Sequence, residues 1–150
     1  MREVLSFPSY AQPRWYTFHD SKNETIAVDT ITFISELEDA ATYRLYTAKV
    51  WIKYIVKKRD PAVPFKMSLE NVEIRFKFVN NNMGISGEYR ILEFYGYDWD
   101  DKENYYTKFE NVSWENVVPD SPKETNLIKI IKYDLERKNE SNLFGAFGLI

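Results

Sequence analysis

The 150-residue sequence has no cysteine, one histidine and five glycines. Without thiols there are no disulfides, thiolate metal sites or cysteine nucleophiles, which fits a reducing compartment. The lone His19, beside Asp20, has no second histidine and no Gly-x-Ser-x-Gly elbow to act on, so it reads as a surface or structural residue. So few glycines leave little room for a phosphate-cradling loop. No stretch approaches the roughly 20 apolar residues of a membrane-spanning helix. Pro8 and Pro13 interrupt the N-terminus before a leader-like apolar run develops. A cytoplasmic, non-enzymatic protein is the expectation, with no cofactor, no bound metal and no small-molecule substrate. Membrane contact is left open.

Acidic residues slightly outnumber basic ones, 23 Asp/Glu against 20 Lys/Arg, and the net charge is −3. The chain as a whole is therefore not drawn to nucleic acid or anionic lipid, and no specific nucleic-acid partner is expected. Charge is unevenly placed along the sequence. Residues 49–77 carry eight Lys/Arg against three Asp/Glu, and residues 93–120 carry eight acidic residues against two basic. Lys53, Lys57, Lys58 and Arg59 concentrate the positive part. They read as a solvated strand edge or as one pole of a surface that docks on a protein partner or on its own copies.

What is abundant is apolar and aromatic: 44% hydrophobic and 17% aromatic residues suit a folded globular chain. The composition of residues 1–24 predicts an N-terminal arm, and residues 25–150 a single compact β-rich domain. In Asn71–Val79, Val72, Ile74, Phe76 and Phe78 alternate with Glu73, Arg75 and Lys77, the period of a half-buried strand. The Asn80–Gly84 stretch turns the chain, and Tyr89–Tyr97 returns as its hairpin partner. In Tyr43–Val56 the even positions from Tyr46 to Val56 form one apolar face, and β-propensity favours strand over helix. Thr25–Ile34 and Tyr105–Trp114 are further strand candidates. Ser121-Pro122-Lys123-Glu124 has the form of a helix cap, followed by Leu127, Ile128, Ile131 and Leu135 at helical spacing, yet LIKIIKY also reads as a strand. The fold class is mainly β on antiparallel strands, α+β if residues 122–138 form a helix.

The segment YRILEFYGYDWDD, Tyr89–Asp101, runs aromatics into three carboxylates. An EF-hand register from Asp98 fails, because Lys102 takes the fifth position and Phe109 the twelfth. Asp98, Asp100 and Asp101 therefore read as a solvated turn. Alternation sends Leu92 and Phe94 to a core face and Ile91, Glu93 and Tyr95 to the other. Tyr95, Tyr97, Trp99, Tyr105 and Tyr106 could form a stacking platform, but core packing is the preferred reading.

Several stretches, in order, resemble the matrix proteins of rhabdoviruses: YRLYTAKVWIKYIV with the basic turn after it, Pro64-Phe65-Lys66, Met83-Gly84, GEYRILEFYG at Gly87–Gly96, and LFGAFGLI at Leu143–Ile150. The resemblance implies a bent sheet with helices against it and a role in virus assembly or in handling the host cell, placing the protein in host cytoplasm or virion. Phe7-Pro8-Ser9-Tyr10 keeps the second Pro and the Tyr of that family's Pro-Pro-x-Tyr motif, so Pro8 and Tyr10 are candidate partner-binding residues. The arm lacks the family's basic charge, and the family's helix would fall on the Asn71–Val79 strand. A matrix-related accessory protein fits these departures. The alternative from another class is a small β-barrel or β-sandwich that binds an apolar ligand among its aromatics.

Overall fold

A computed structural model describes residues 14–80, 84–100 and 104–138. Its strands are β1 (Trp15–Asp20), β2 (Glu24–Asp29), β3 (Ile34–Asp39), β4 (Tyr43–Val56), β5 (Phe65–Val79), β6 (Gly84–Asp98), β7 (Asn104–Lys108) and β8 (Glu115–Asn116). One helix, α1 (Pro122–Arg137), follows. The strands build one antiparallel sheet in the order β1-β2-β4-β5-β6-β7, with β3 also paired to β4 and β8 to β6. This is the mainly β architecture that the alternation predicts, and the C-terminal helix that the sequence left open beside a strand reading is present. The sheet does not close. The barrel or sandwich of the ligand-carrier alternative is thereby corrected to a single open sheet.

Alternation sets the two faces of the long strands. Tyr46, Ala48, Val50 and Ile52 of β4 and Val72, Ile74, Phe76 and Phe78 of β5 are buried on one side. Against them pack Leu127, Ile130, Ile131 and Leu135 of α1, with Ile26 and Val28 of β2. Each large side chain buried here stabilises the fold by roughly 1.5–3 kcal/mol before entropy is counted. The helix starts where the cap signals place it. Ser121 Oγ accepts from the Glu124 N–H at 3.1 Å, while Glu124 Oε1 accepts from the Asp120 N–H at 3.0 Å. Residues 122–137 are thus helix, and the strand reading of LIKIIKY gives way to the 3.6-residue period of its buried stripe.

Three expectations are corrected. The arm of residues 1–24 is shorter, because Trp15–Asp20 pairs with β2; residues 1–13, including Pro8 and Tyr10, lie outside the described residues, as do 139–150. The strand candidate Thr25–Ile34 splits in two. Asp29 accepts bonds from the Ile31 N–H at 3.1 Å and the Thr32 hydroxyl at 2.7 Å, folding the chain into a turn. The candidate Tyr105–Trp114 ends at Lys108, and Asn111 beyond it takes a left-handed φ of 52°.

A further correction concerns the faces of β6. Val72 pairs with Ile91, but the neighbouring Asn71 pairs with Glu93, so Leu92 is an extra residue in a bulge. Ahead of the bulge Ile91, not Leu92, packs on the core. Beyond it, Phe94 is partly buried in an aromatic group, 5.4 Å from Phe65 and 6.0 Å from Tyr105 between ring centres. Neither Leu92 nor Phe94 belongs to the buried core.

Candidate functional site

With α1 on one face, the odd-numbered positions of β4 and β5 point to the other. Neither a helix nor a second sheet covers that face among the described residues. One half of it is charged. Glu73 stands between Lys49 and Arg90 in the ladder, and Arg90 Nε donates to its Oε1 at 2.6 Å. Arg75 lies opposite Glu88 and donates to Oε1 at 2.7 Å through Nη2. The guanidinium groups of Arg75 and Arg90 reach the Trp114 ring at 4.2 and 4.4 Å, so this half is partly covered by the chain itself.

The other half is aromatic. Trp51 of β4 lies 6.0 Å from Tyr95 of β6, which lies 4.5 Å from Tyr106 of β7. Trp51 and Tyr95 are partly buried, and Tyr106 is 48% exposed. Beside them Trp15, Trp51, Leu69 and Tyr95 line an open hollow of about 150 Å³. Asn71, nearly inaccessible beneath this row, donates through Nδ2 to Glu93 Oε1 at 3.1 Å, and Tyr106 Oη donates to Glu93 Oε2 at 2.9 Å. The bond from Asn71, then that from Tyr106, holds the Glu93 carboxyl below its ordinary range and keeps it ionised. Asn71 Oδ1 has no hydrogen-bond partner among the described residues.

The five aromatics weighed as a platform therefore divide, and core packing is not their fate. Tyr95 and Tyr106 share the open face, Tyr105 joins Phe65 and Phe94 on the helix side, Tyr97 is partly buried opposite Met67, and Trp99 Nε1 donates to the Val63 carbonyl at 3.1 Å. Trp51 and Trp15, from distant strands, complete the open row. The alternation of β4 was the signal for Trp51; only strand order could bring it to Tyr95.

The basic cluster also divides. Lys53 lies on the open face with Nζ 4.2 Å over the Trp15 ring, and desolvation, then Arg14's charge, lowers its pKa. Lys57 turns back to bond Asp20 at the end of β1. Arg59 faces Asp100 at 3.6 Å and the Trp99 ring at 5.8 Å, while Lys58 is exposed in the same turn. Of the three carboxylates there, Asp100 meets a cation, Asp98 has a partner, and Asp101 lies outside the described residues. The two charge blocks of the sequence thus meet in this turn, where Arg59 faces Asp100. His19 and Asp20 separate: His19 Nε2 is 3.7 Å from Glu24, while Asp20 accepts from Thr25 and Lys57.

Three acidic groups are drawn inside the fold, and two of them are fully engaged. Asp134 of α1 accepts from the Tyr46 and Ser35 hydroxyls at 2.7 and 2.5 Å and from Arg137 Nε at 2.8 Å. Burial would raise the Asp29 carboxyl, but bonds from Arg14, Thr32 and the Ile31 N–H hold it low. Glu70, near Tyr54 and Lys123, is raised by burial and keeps one oxygen unpartnered. No family model matches the chain, and neither a curated protein nor a solved structure matches it significantly.

Proposed function

We propose that this chain is a non-enzymatic interaction protein that works through the open face of its sheet. The observation that carries the reading is the asymmetry of the two faces. One packs against α1 around a buried apolar core, and the other presents Trp51, Tyr95 and Tyr106 beside cross-strand ion pairs. Partly exposed aromatics rimmed by polar groups are what contact surfaces use for affinity. The buried acids Asp29 and Asp134 use their bonds to fasten turns and the helix, which supports a structural role for them. The finer reading, a viral protein related to rhabdovirus matrix proteins that binds a protein partner or its own copies in host cytoplasm or virion, rests on the resemblance of residues 43–150.

Cross-linking in the producing cell, followed by mapping of linked peptides, tests this. Linked positions concentrated at Lys49, Lys53 and Lys108 support the open face. Positions concentrated at Lys129 and Lys132, on α1, overturn it.

A further inference from the structure

The aromatic half of the open face has a feature the overall charge conceals. On β4, Lys49 and Lys53 flank Trp51 at two-residue spacing, so all three project from the same side. On β7, Tyr106 and Lys108 are likewise two apart, and Lys108 pairs with Glu93 in the ladder. A row of three rings thus crosses the sheet from Trp51 through Tyr95 to Tyr106, with lysines at both ends. Lys49 and Lys108 are exposed. The one carboxylate within the row, Glu93, is already engaged by Asn71 and Tyr106.

Elsewhere on this face the chain's own cations lie over its rings: Lys53 over Trp15, Arg75 and Arg90 over Trp114, Lys77 over Tyr43. Among the described residues no cation of the chain lies over Trp51, Tyr95 or Tyr106, and the exposed part of each ring faces outward from the sheet.

We infer that the row Trp51–Tyr95–Tyr106, with Lys49, Lys53 and Lys108 at its ends, binds single-stranded nucleic acid without sequence preference. Bases stack on rings of any sequence, and lysines beside them meet the phosphates that run past. A sheet face with one exposed and two partly exposed rings suits splayed single strands, whereas a duplex keeps its bases stacked and hides their faces. The lysines decide against a neutral sugar, which would use the rings and leave the cations idle. The net charge of −3 argues only against attraction to the molecule as a whole. The inference rests on the reading of the open face as the contact surface.

Fluorescence titration of the full chain with a short oligouridylate tests it, beside duplex RNA of equal length, inorganic polyphosphate and an acidic peptide. The expected result is binding to the single strand that weakens with salt. Tyr106→Leu should lower affinity roughly tenfold and leave the salt slope unchanged, since stacking is worth about 1–3 kcal/mol per base. Tyr106→Phe keeps the ring, loses the bond to Glu93, and should bind as the unaltered chain does. Replacing Lys49 and Lys108 by Ala should flatten the salt slope by about 0.7 per lysine. Thermal melts confirm that each variant folds. Absence of binding, equal binding to duplex, polyphosphate or acidic peptide, or an unchanged affinity in Tyr106→Leu overturns the inference. Oligonucleotide titration and cross-link mapping are independent readouts, so nucleic-acid binding can fail while cross-links still place a protein on the face.

Discussion

Tyr46 donates its hydroxyl to Asp134 Oδ2 at 2.7 Å, fastening the middle of the sheet to the last turns of the helix inside the core. Burial, then the charge of Asp134, pushes the Tyr46 hydroxyl far above its ordinary range, so it remains a donor wherever the protein is folded. Tyr46→Phe is expected to cost about 1–3 kcal/mol, because a buried carboxylate loses a donor. Asp134→Ala should cost more, since it also strands Ser35 and Arg137. The double variant should lose less than the sum, as measured by denaturant unfolding.

Glu70 sets a pH dependence of the opposite sense to acid unfolding. Burial raises its folded pKa, against attraction from Lys123 and the bond with Tyr54. Its stabilising contribution is complete below the ordinary glutamate range and is lost as pH rises through the raised folded value. Glu70→Gln should abolish that loss and leave the protein at least as stable at neutral pH. Denaturant melts of both proteins across the acidic and neutral range check this. A parallel pH dependence in the two would show that Glu70 is not its source.

Asp29 behaves in the contrary way. Its carboxyl is held low, so the stability it brings is present above the ordinary aspartate range and disappears as pH falls through the depressed value. Asp29→Asn should remove this acid-side loss and lower stability at neutral pH. Paired unfolding curves at neutral and strongly acidic pH measure both effects.

Two glycines on β6 should respond unequally to alanine. A Cβ at Gly87 would lie 2.5 Å from the Phe76 ring, and one at Gly96 would lie 2.5 Å from the Phe65 ring. Phe76 is wholly buried and has nowhere to go; Phe65 is partly exposed and can swing aside. Gly87→Ala is expected to cost about 1–3 kcal/mol, as overpacked cores do, and Gly96→Ala distinctly less. Thermal unfolding of the two variants decides the order.

Much of this fold is legible where one side chain carries the signal. The even positions of β4 and β5 announce their buried face, and Ser121, Pro122 and Glu124 announce the start of α1. The bulge at Leu92 left no such mark. It is a slip in pairing between two backbones, and it inverted the expected faces of Ile91 and Leu92. Asp134 was missed because its partners Ser35 and Tyr46 come from distant strands, though an acid on the apolar stripe of Leu127, Ile131 and Leu135 hinted at a buried bond. The candidate surface was half visible. Tyr95 and Tyr106 stand close together in the sequence, but only the strand order joins them to Trp51 and separates them from Tyr105.

The bonds of Asp134 also bear on the order in which the protein acquires its structure. Strands β3 to β6 follow one another in sequence and pair with their sequence neighbours, so their contacts close shorter loops than those of the helix. The latch onto Ser35 and Tyr46 spans 99 and 88 residues and repays its entropy only after the sheet stands. The helix is therefore expected to dock late. Weakening its latch should then accelerate unfolding more than it slows folding, as folding and unfolding rates of Tyr46→Phe would show.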